Sequence, residues 1–190
     1  MSLAELFRRI ISALDLAGIA YMVSGSFASA HYGASRSTQD IDLVIAATPA
    51  QLRALVNSLP SDEYYVDLDA ALEALTRQSL FNVIDLATGW KIDLIIRKSR
   101  PFSLEEFRRR RQVNLHDVPI FVASAEDIVI SKLEWSKLAQ SRRHVEDVAG
   151  ILRARWKSLD RTYLEKWIDE LGLTHQWNDA RTAAGISEAM

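Results

Sequence analysis

Two aspartates separated by one residue, Asp40 and Asp42, are the residues of this sequence best suited to bind a divalent cation. They alternate with Ile41, Leu43 and Ile45, and successive side chains of a β-strand point to opposite faces. A strand here carries both carboxylates on one face and the aliphatic side chains on the other. Because Mg²⁺ prefers oxygen ligands, the pattern predicts a magnesium site.

The Asp-x-Asp spacing alone is weak evidence. With 14 Asp among 190 residues, about one such pair is expected by chance. Asp67 and Asp69 have the same spacing, but no Gly-Ser pair precedes them and no β-branched run follows. We therefore predict that this second pair forms a solvated turn or a helix cap.

A Gly-Ser pair, Gly25-Ser26, follows a short apolar run upstream of Asp40 and opens onto an alanine-rich segment able to begin a helix. The first turn of a helix presents unpaired backbone N–H groups that bind anions. Gly25 allows close approach of the backbone, and Ser26 adds a hydroxyl group. We predict that this turn holds phosphate groups.

A third candidate carboxylate, Asp93, lies in a later strand whose alternation, Ile92, Leu94 and Ile96, mirrors that around Asp42. Asp85 is the other candidate for the third carboxylate. It lies one hairpin strand earlier, next to the predicted turn. We favour Asp93. The alternative is that it is a solvated acid at a strand edge.

Three carboxylates facing a phosphate-binding turn suit metal-assisted nucleotidyl transfer. In a two-metal arrangement, one Mg²⁺ activates the attacking hydroxyl and the other stabilises the leaving pyrophosphate. Asp40 and Asp42 are predicted to share the two ions, and Asp93 to complete the site on the attacking side. Solvated acids at a strand end are the alternative for the first pair.

Hydrophobic periodicity predicts the elements that position these residues. We expect an α/β (α+β) protein with a mixed, twisted sheet and flanking helices in residues 1–123, and a helical bundle packed on it in residues 124–190. The predicted elements are a helix over 3–17, a strand over 20–23, a helix over about 27–32, the Asp40 strand, helices over 49–59 and 70–76, a hairpin over 81–96, a basic helix over 104–111, a strand over 119–122, and helices over about 127–139, 142–156 and 160–171.

Composition limits the function classes. The chain has 48% hydrophobic and 25% charged residues, a net charge of -2 and no cysteine. The absence of cysteine excludes disulfides, thiolate metal sites and cysteine nucleophiles. No apolar run is long enough for a membrane span, so we expect a cytoplasmic protein without membrane contact. Arg108 to Arg111 are predicted to form a solvated helix face, with an RNA or acidic-partner site as the alternative.

The motifs together resemble a known family. Gly25-Ser26, Gly33, Arg36, Thr38, Asp40-Ile41-Asp42 and Asp93 resemble the nucleotidyltransferase superfamily with the polymerase-beta-like fold, and most closely its minimal, AbiEii-like abortive-infection toxin branch. The likeness continues through 126–133 and 143–148.

This resemblance implies Mg²⁺-dependent transfer of NMP from an NTP to a hydroxyl of an unknown acceptor, which can be RNA such as tRNA, a protein or a small molecule. It also implies nucleotide contacts by Arg36, Thr38, Lys132 and Asp147, and a toxin role with an antitoxin partner. For Arg36 the alternative is a loop salt bridge, and for Lys132 a lysine lying along the surface. A non-catalytic relative acting as a binding or regulatory partner, and a structural domain with incidental acids, are the competing functions.

Overall fold

The computed structural model describes residues 3–34, 40–115 and 118–186. These residues form two compact units. The first, called the sheet unit, contains the described residues within 1–24 and 38–122. The second, called the helical unit, contains those within 25–37 and 123–190.

Seven strands are present among the described residues: β1 (Ala20–Val23), β2 (Asp40–Ala46), β3 (Tyr64–Val66), β4 (Leu80–Asp85), β5 (Lys91–Ile96), β6 (Arg111–Leu115) and β7 (Val118–Val122). They form one sheet in the order β3-β4-β5-β2-β1-β7-β6. The β2–β5 and β1–β7 pairs are parallel, and the other pairs are antiparallel. The predicted mixed sheet is confirmed.

The described helices are α1 (Leu3–Leu16), α2 (Gly25–His31), α3 (Pro49–Ser58), α4 (Leu68–Arg77), α5 (Pro101–Arg108), α6 (Ala125–Ala139), α7 (Arg142–Arg155), α8 (Arg161–Glu170) and α9 (Thr174–Ala184). Helices α1, α3, α4 and α5 belong to the sheet unit, and the others to the helical unit. The sequence pattern predicts one core for all of residues 1–123. In the structure residues 25–34 group instead with the C-terminal helices, because α2 packs on α6 and α7.

Local sequence explains several elements of the sheet unit. Ile41, Leu43 and Ile45 of β2 are each at most 1% exposed, as their alternation predicts. Thr48 caps α3, because its side chain accepts a hydrogen bond from the Gln51 backbone N–H at 3.3 Å. Asp67 caps α4 in the same way, by accepting from the Ala70 N–H at 3.0 Å. The prediction of a cap for the second Asp-x-Asp pair is confirmed.

The strands β3 and β6 were not predicted, and the predicted basic helix over 104–111 is wrong at its C-terminal end. Helix α5 ends at Arg108, and Arg111 begins β6 opposite Val122 of β7. Both missed strands lie at the edges of the sheet, where pairing with a neighbouring strand decides the conformation more than the short local pattern does.

Arg108 to Arg111 were predicted to form one solvated helix face. The structure shows that this prediction is wrong. The Arg110 guanidinium lies 4.4 Å from the ring centroid of Phe107 and 5.2 Å from that of Phe121. Arg108 is exposed and pairs with Glu105 one turn earlier at 2.6 Å. Cation–π stacking of Arg110 therefore stabilises the junction of α5 and the sheet edge.

Helix α6 of the helical unit begins with a buried polar cluster. The Ser124 hydroxyl accepts from the Asp127 N–H at 3.2 Å and donates to Asp127 Oδ2 at 2.6 Å. The Tyr163 hydroxyl donates to the other Asp127 oxygen at 2.6 Å. Asp127, which is fully buried, thus joins the first turns of α6 and α8.

The loop after α2 lies directly against α7. Gly33 has φ +115°, and a Cβ added there would lie 2.5 Å from the Ala154 Cβ. A Cβ on Gly150 would lie 3.2 Å from the Ala34 Cα. Small residues on both sides therefore permit this close approach.

We expect Gly33→Ala to destabilise the protein by about 2–3 kcal/mol, the sum of a strained positive φ and an overpacked contact. Urea unfolding measures the change. Gly89→Ala is the matched control, because Gly89 also has a positive φ, +73°, but a Cβ there has no neighbour within 4 Å. Equal destabilisation by the two variants would show that the Ala154 contact contributes nothing.

None of the described helices combines the length and the apolar character needed to cross a membrane.

Candidate functional site

The predicted carboxylates lie on one face of the sheet unit. Strands β2 and β5 are parallel neighbours, and Asp42 is the register partner of Asp93. Asp40 pairs in register with Lys91, two residues before Asp93. Because side chains alternate along each strand, these four residues share the face opposite the buried aliphatic side chains. This group of Asp40, Asp42, Lys91 and Asp93 is called the carboxylate face.

Asp93 is held in place by a neighbour that the sequence analysis did not identify. Asn82 of β4 is its register partner across the hairpin, and its side-chain amide donates to Asp93 Oδ1 at 2.5 Å. The Asp93 side chain is only 14% exposed. The hairpin was predicted, but a turn over residues 87–89, as the sequence suggests, would place Asn82 opposite Leu94, one residue out of the observed register.

Asp85, the rival of Asp93, lies on the other face of its strand and is fully buried. Its Oδ1 accepts hydrogen bonds from the Thr88 backbone N–H at 2.8 Å and the Thr88 hydroxyl at 2.7 Å. Asp85 therefore stabilises the β4–β5 turn. The structure places Asp93, and not Asp85, beside Asp42.

Lys91 is the cation of the carboxylate face. Its Nζ lies 3.2 Å from Asp93 Oδ2 and 3.6 Å from Asp40 Oδ1. Burial lowers the pKa of Lys91, but the hydrogen bond and charge of Asp93, with the charge of Asp40, outweigh it and hold that pKa above its ordinary value. The ammonium group is thus charged at neutral pH and neutralises part of the negative charge on this face. The sequence motifs predict no role for Lys91.

The carboxylate face fits a divalent cation in donor chemistry, because it offers carboxylate oxygens on neighbouring strands and already holds a positive charge between two of them. Within residues 3–34, 40–115 and 118–186, however, no three His, Cys, Asp or Glu side chains are grouped to hold a metal ion. Lys91 supplies the cation in the arrangement that the structure describes.

Gly25 and Ser26, the predicted phosphate contacts, form the first residues of α2 in the helical unit. Gly25 has φ +59°, a conformation that favours glycine. Its carbonyl oxygen accepts from the Ser29 hydroxyl at 2.6 Å. Ser26 is buried. The helix begins two residues earlier than predicted, so the Gly-Ser pair is its first turn rather than a preceding loop.

Two further predicted nucleotide contacts, Arg36 and Thr38, lie outside the described residues. Their roles stay predictions.

The remaining predicted contacts, Lys132 and Asp147, form an ion pair within the helical unit. Lys132 Nζ lies 2.5 Å from Asp147 Oδ2, and the two side chains are only 6% and 10% exposed. Lys132 is therefore not a lysine lying along the surface, which was the alternative to a nucleotide contact. The pair joins α6 to α7, so it has a structural role whether or not it also contacts a nucleotide.

A cleft of about 470 Å³ borders this ion pair in the helical unit. Asp147 lines it together with Glu146 and Arg153 of α7 and the Gly33-Ala34 loop. Its lining combines both signs of charge with the small residues Gly33, Ala34 and Gly150. The two family-like motifs around Gly33 and Asp147 thus meet at one cleft, although they are more than 100 residues apart in sequence.

Several solved structures share this fold. The antibiotic-resistance factor ANT(2'')-Ia, determined in solution, is 14% identical, with a TM-score of 0.58 over 94% of this chain and 95% of that chain. An antigenic nucleotidyltransferase-like protein from Paracoccidioides brasiliensis is 17% identical, with a TM-score of 0.56 over 94% of this chain and 90% of that chain. ANT(2'')-Ia in complex with adenylyl-2''-tobramycin aligns at 14% identity and a TM-score of 0.50, covering 95% and 96%.

Identities this low establish the fold alone, which is that of nucleotidyltransferases. No curated protein sequence matches the chain. A family model described as nucleotidyltransferase of unknown function (DUF6036) matches residues 2–183. The match covers nearly the whole sequence, and the chain therefore belongs to this nucleotidyltransferase family.

Proposed function

We propose that the protein transfers a nucleoside monophosphate from an NTP to a hydroxyl group, with Mg²⁺ bound at the carboxylate face. The observation that carries the proposal is the register of β2 and β5, which pairs Asp42 with Asp93 and puts Asp40 on the same face. In a chain of a nucleotidyltransferase family, carboxylates so arranged are the natural ligands for the ions that accompany a triphosphate.

The proposed reaction forms one bond and breaks one. The acceptor oxygen attacks the α-phosphorus, the bond from this phosphorus to the β-phosphate bridging oxygen breaks, and pyrophosphate leaves with the electron pair. The acceptor proton passes to Asp93 or to water beside it. Mg²⁺ held by Asp40, Asp42 and Asp93 would lower the pKa of the acceptor hydroxyl and neutralise charge on the phosphates. Asn82 keeps the Asp93 carboxylate oriented by its 2.5 Å hydrogen bond.

The nucleotide contacts are part of the same proposal. Gly25 and Ser26 bind phosphate oxygens through the N–H groups of the first turn of α2, and Arg36 and Thr38 add contacts from the following segment. Lys132 and Asp147 are the contacts proposed from the C-terminal helices. For these two residues the buried ion pair favours an indirect effect, in which they position α6 and α7.

Three classes of acceptor are considered: RNA, a protein or a small molecule. ANT(2'')-Ia, a structural neighbour, is described in complex with adenylyl-2''-tobramycin, an adenylylated small molecule. The AbiEii-like resemblance supports instead a toxin that modifies a cellular macromolecule and is controlled by an antitoxin. We propose this toxin role on the sequence motifs around Asp40, Asp93 and Asp147 alone.

A transfer screen tests the proposed activity. The protein is incubated with each α-³²P-labelled NTP and Mg²⁺, in parallel with total RNA, total protein and an aminoglycoside mixture. We expect label to enter one acceptor class, with release of pyrophosphate. Absence of both label transfer and pyrophosphate release, with every NTP and with Mn²⁺ in place of Mg²⁺, would contradict the proposal.

The second candidate function is a non-catalytic nucleotidyltransferase fold that acts as a binding or regulatory partner. The observation favouring it is the Lys91 ammonium between Asp40 and Asp93, since this group already balances part of the carboxylate charge without a metal ion. Calorimetry separates the two functions. Mg·ATP or Mg·GTP binding supports the enzyme, and no heat of binding with any Mg·NTP supports the non-catalytic protein.

A further inference from the structure

The position of Lys91 in β5 is set by the backbone. Lys91 lies two residues before Asp93 on the same strand face and opposite Asp40 in the parallel register. Its side chain reaches both carboxylates, because same-face neighbours on adjacent strands are close. Both carboxylates belong to the proposed metal ligands. The ammonium group therefore lies among the oxygen atoms that a divalent cation would use.

An ammonium group and a divalent cation cannot share these oxygen atoms at low cost. Lys91 Nζ lies within hydrogen-bond distance of Asp93 Oδ2, at 3.2 Å, and forms a longer ion pair with Asp40 Oδ1, at 3.6 Å. A metal ion bound there would also lie within a few ångströms of the positive charge, and on the Asp93 side, where the side chain is 14% exposed, water screens this repulsion only in part.

We propose that Lys91 is the resident cation of the carboxylate face, and that a divalent cation binds there only by displacing the Lys91 ammonium from Asp40 and Asp93. This inference rests on the proposed function, since it concerns the same carboxylates. Lys91 is 41% exposed, so the side chain has room to turn toward solvent or toward a bound anion.

The displacement couples metal binding to nucleotide binding. Mg²⁺ alone has to release Lys91 into water, whereas Mg·NTP brings phosphate charges with which the released ammonium can pair. We therefore expect weak binding of Mg²⁺ alone and much stronger binding of Mg·NTP. In this scheme Lys91 opposes the binding of a metal ion in the absence of nucleotide.

Calorimetric titration of Mg²⁺ and of Mn²⁺, without nucleotide, into wild-type protein and Lys91→Met tests the inference. We expect Lys91→Met to bind about tenfold more tightly, equivalent to roughly 1.4 kcal/mol. Lys91→Arg keeps the charge and should bind as weakly as the wild type. Lys98→Met is the matched control, because Lys98 is an exposed lysine just beyond the other end of β5, and its metal affinity should equal that of the wild type.

Adding Asp93→Asn to Lys91→Met should remove the gained affinity, which places the ion at the carboxylate face. Metal binding by Lys91→Met that is equal to or weaker than that of the wild type would overturn the inference. If Lys91→Met fails to fold, Lys91→Gln takes its place in the titration. Tighter metal binding without any transfer activity would contradict only the proposed function. Transfer activity with unchanged metal affinity of Lys91→Met would contradict only the Lys91 inference. No metal binding by any variant, with or without NTP, would contradict both.

Discussion

Asp42→Asn is expected to lower the rate of nucleotidyl transfer on the order of 10³-fold, about 4 kcal/mol of transition-state stabilisation. The substitution keeps the shape of the side chain but removes the negative charge that faces Asp93 across the β2–β5 pair. The measurement is the initial rate of label transfer from an α-labelled NTP at saturating Mg²⁺.

Two controls separate lost chemistry from lost structure in this experiment. Asp69→Asn changes an exposed acid with the same Asp-x-Asp spacing, on α4, and should leave the rate unchanged. The thermal stability of Asp42→Asn should not fall, because removing one of three carboxylates on a shared face relieves repulsion. A rate within threefold of wild type would show that Asp42 does not bind the catalytic ions.

Lys132→Met is expected to destabilise the fold by about 3–5 kcal/mol, because it leaves the buried Asp147 carboxylate without its ammonium partner. The two groups are 2.5 Å apart, and neither side chain is more than 10% exposed. The loss is a large fraction of the stability of an ordinary domain, about 5–15 kcal/mol. Urea unfolding followed by circular dichroism measures the free energy of unfolding.

The matched control is Lys166→Met, which removes the ammonium of an exposed ion pair with Glu170, 57% and 48% exposed. Exposed pairs of this kind contribute at most about 1 kcal/mol. A double variant, Lys132→Met with Asp147→Asn, should cost less than the sum of its two single changes, since the interaction can be lost only once. Similar losses for Lys132→Met and Lys166→Met would show that the pair is not important for stability.

The two experiments also separate direct from indirect roles of the motif residues. If Lys132 contacts the nucleotide, a variant kept folded by lower temperature should have a raised KM for NTP. If it only joins α6 to α7, the stability should fall while KM at that temperature stays unchanged. The buried geometry of the pair favours the second result.

Most local elements could be predicted from the sequence because their signals lie within a few residues. Alternation placed Asp40 and Asp42 on the face opposite Ile41, and periodicity predicted the helix that begins at Pro49. The short edge strands β3 and β6 were missed, because their conformation depends on pairing with β4 and β7. The predicted basic helix over 104–111 is wrong at its C-terminal end for the same reason, because Arg111 pairs with β7.

The sequence by itself indicated the nucleotidyltransferase superfamily, the strand that carries Asp40 and Asp42, and Asp93 as the candidate third carboxylate, since these depend on residue types at short spacing. Only the tertiary structure decided that Asp42 pairs in register with Asp93, that Lys91 lies between Asp93 and Asp40, and that Lys132 pairs with Asp147. The physical reason is range. Hydrophobic periodicity acts along a single segment, whereas strand register and buried charge pairs arise when segments distant in sequence pack together.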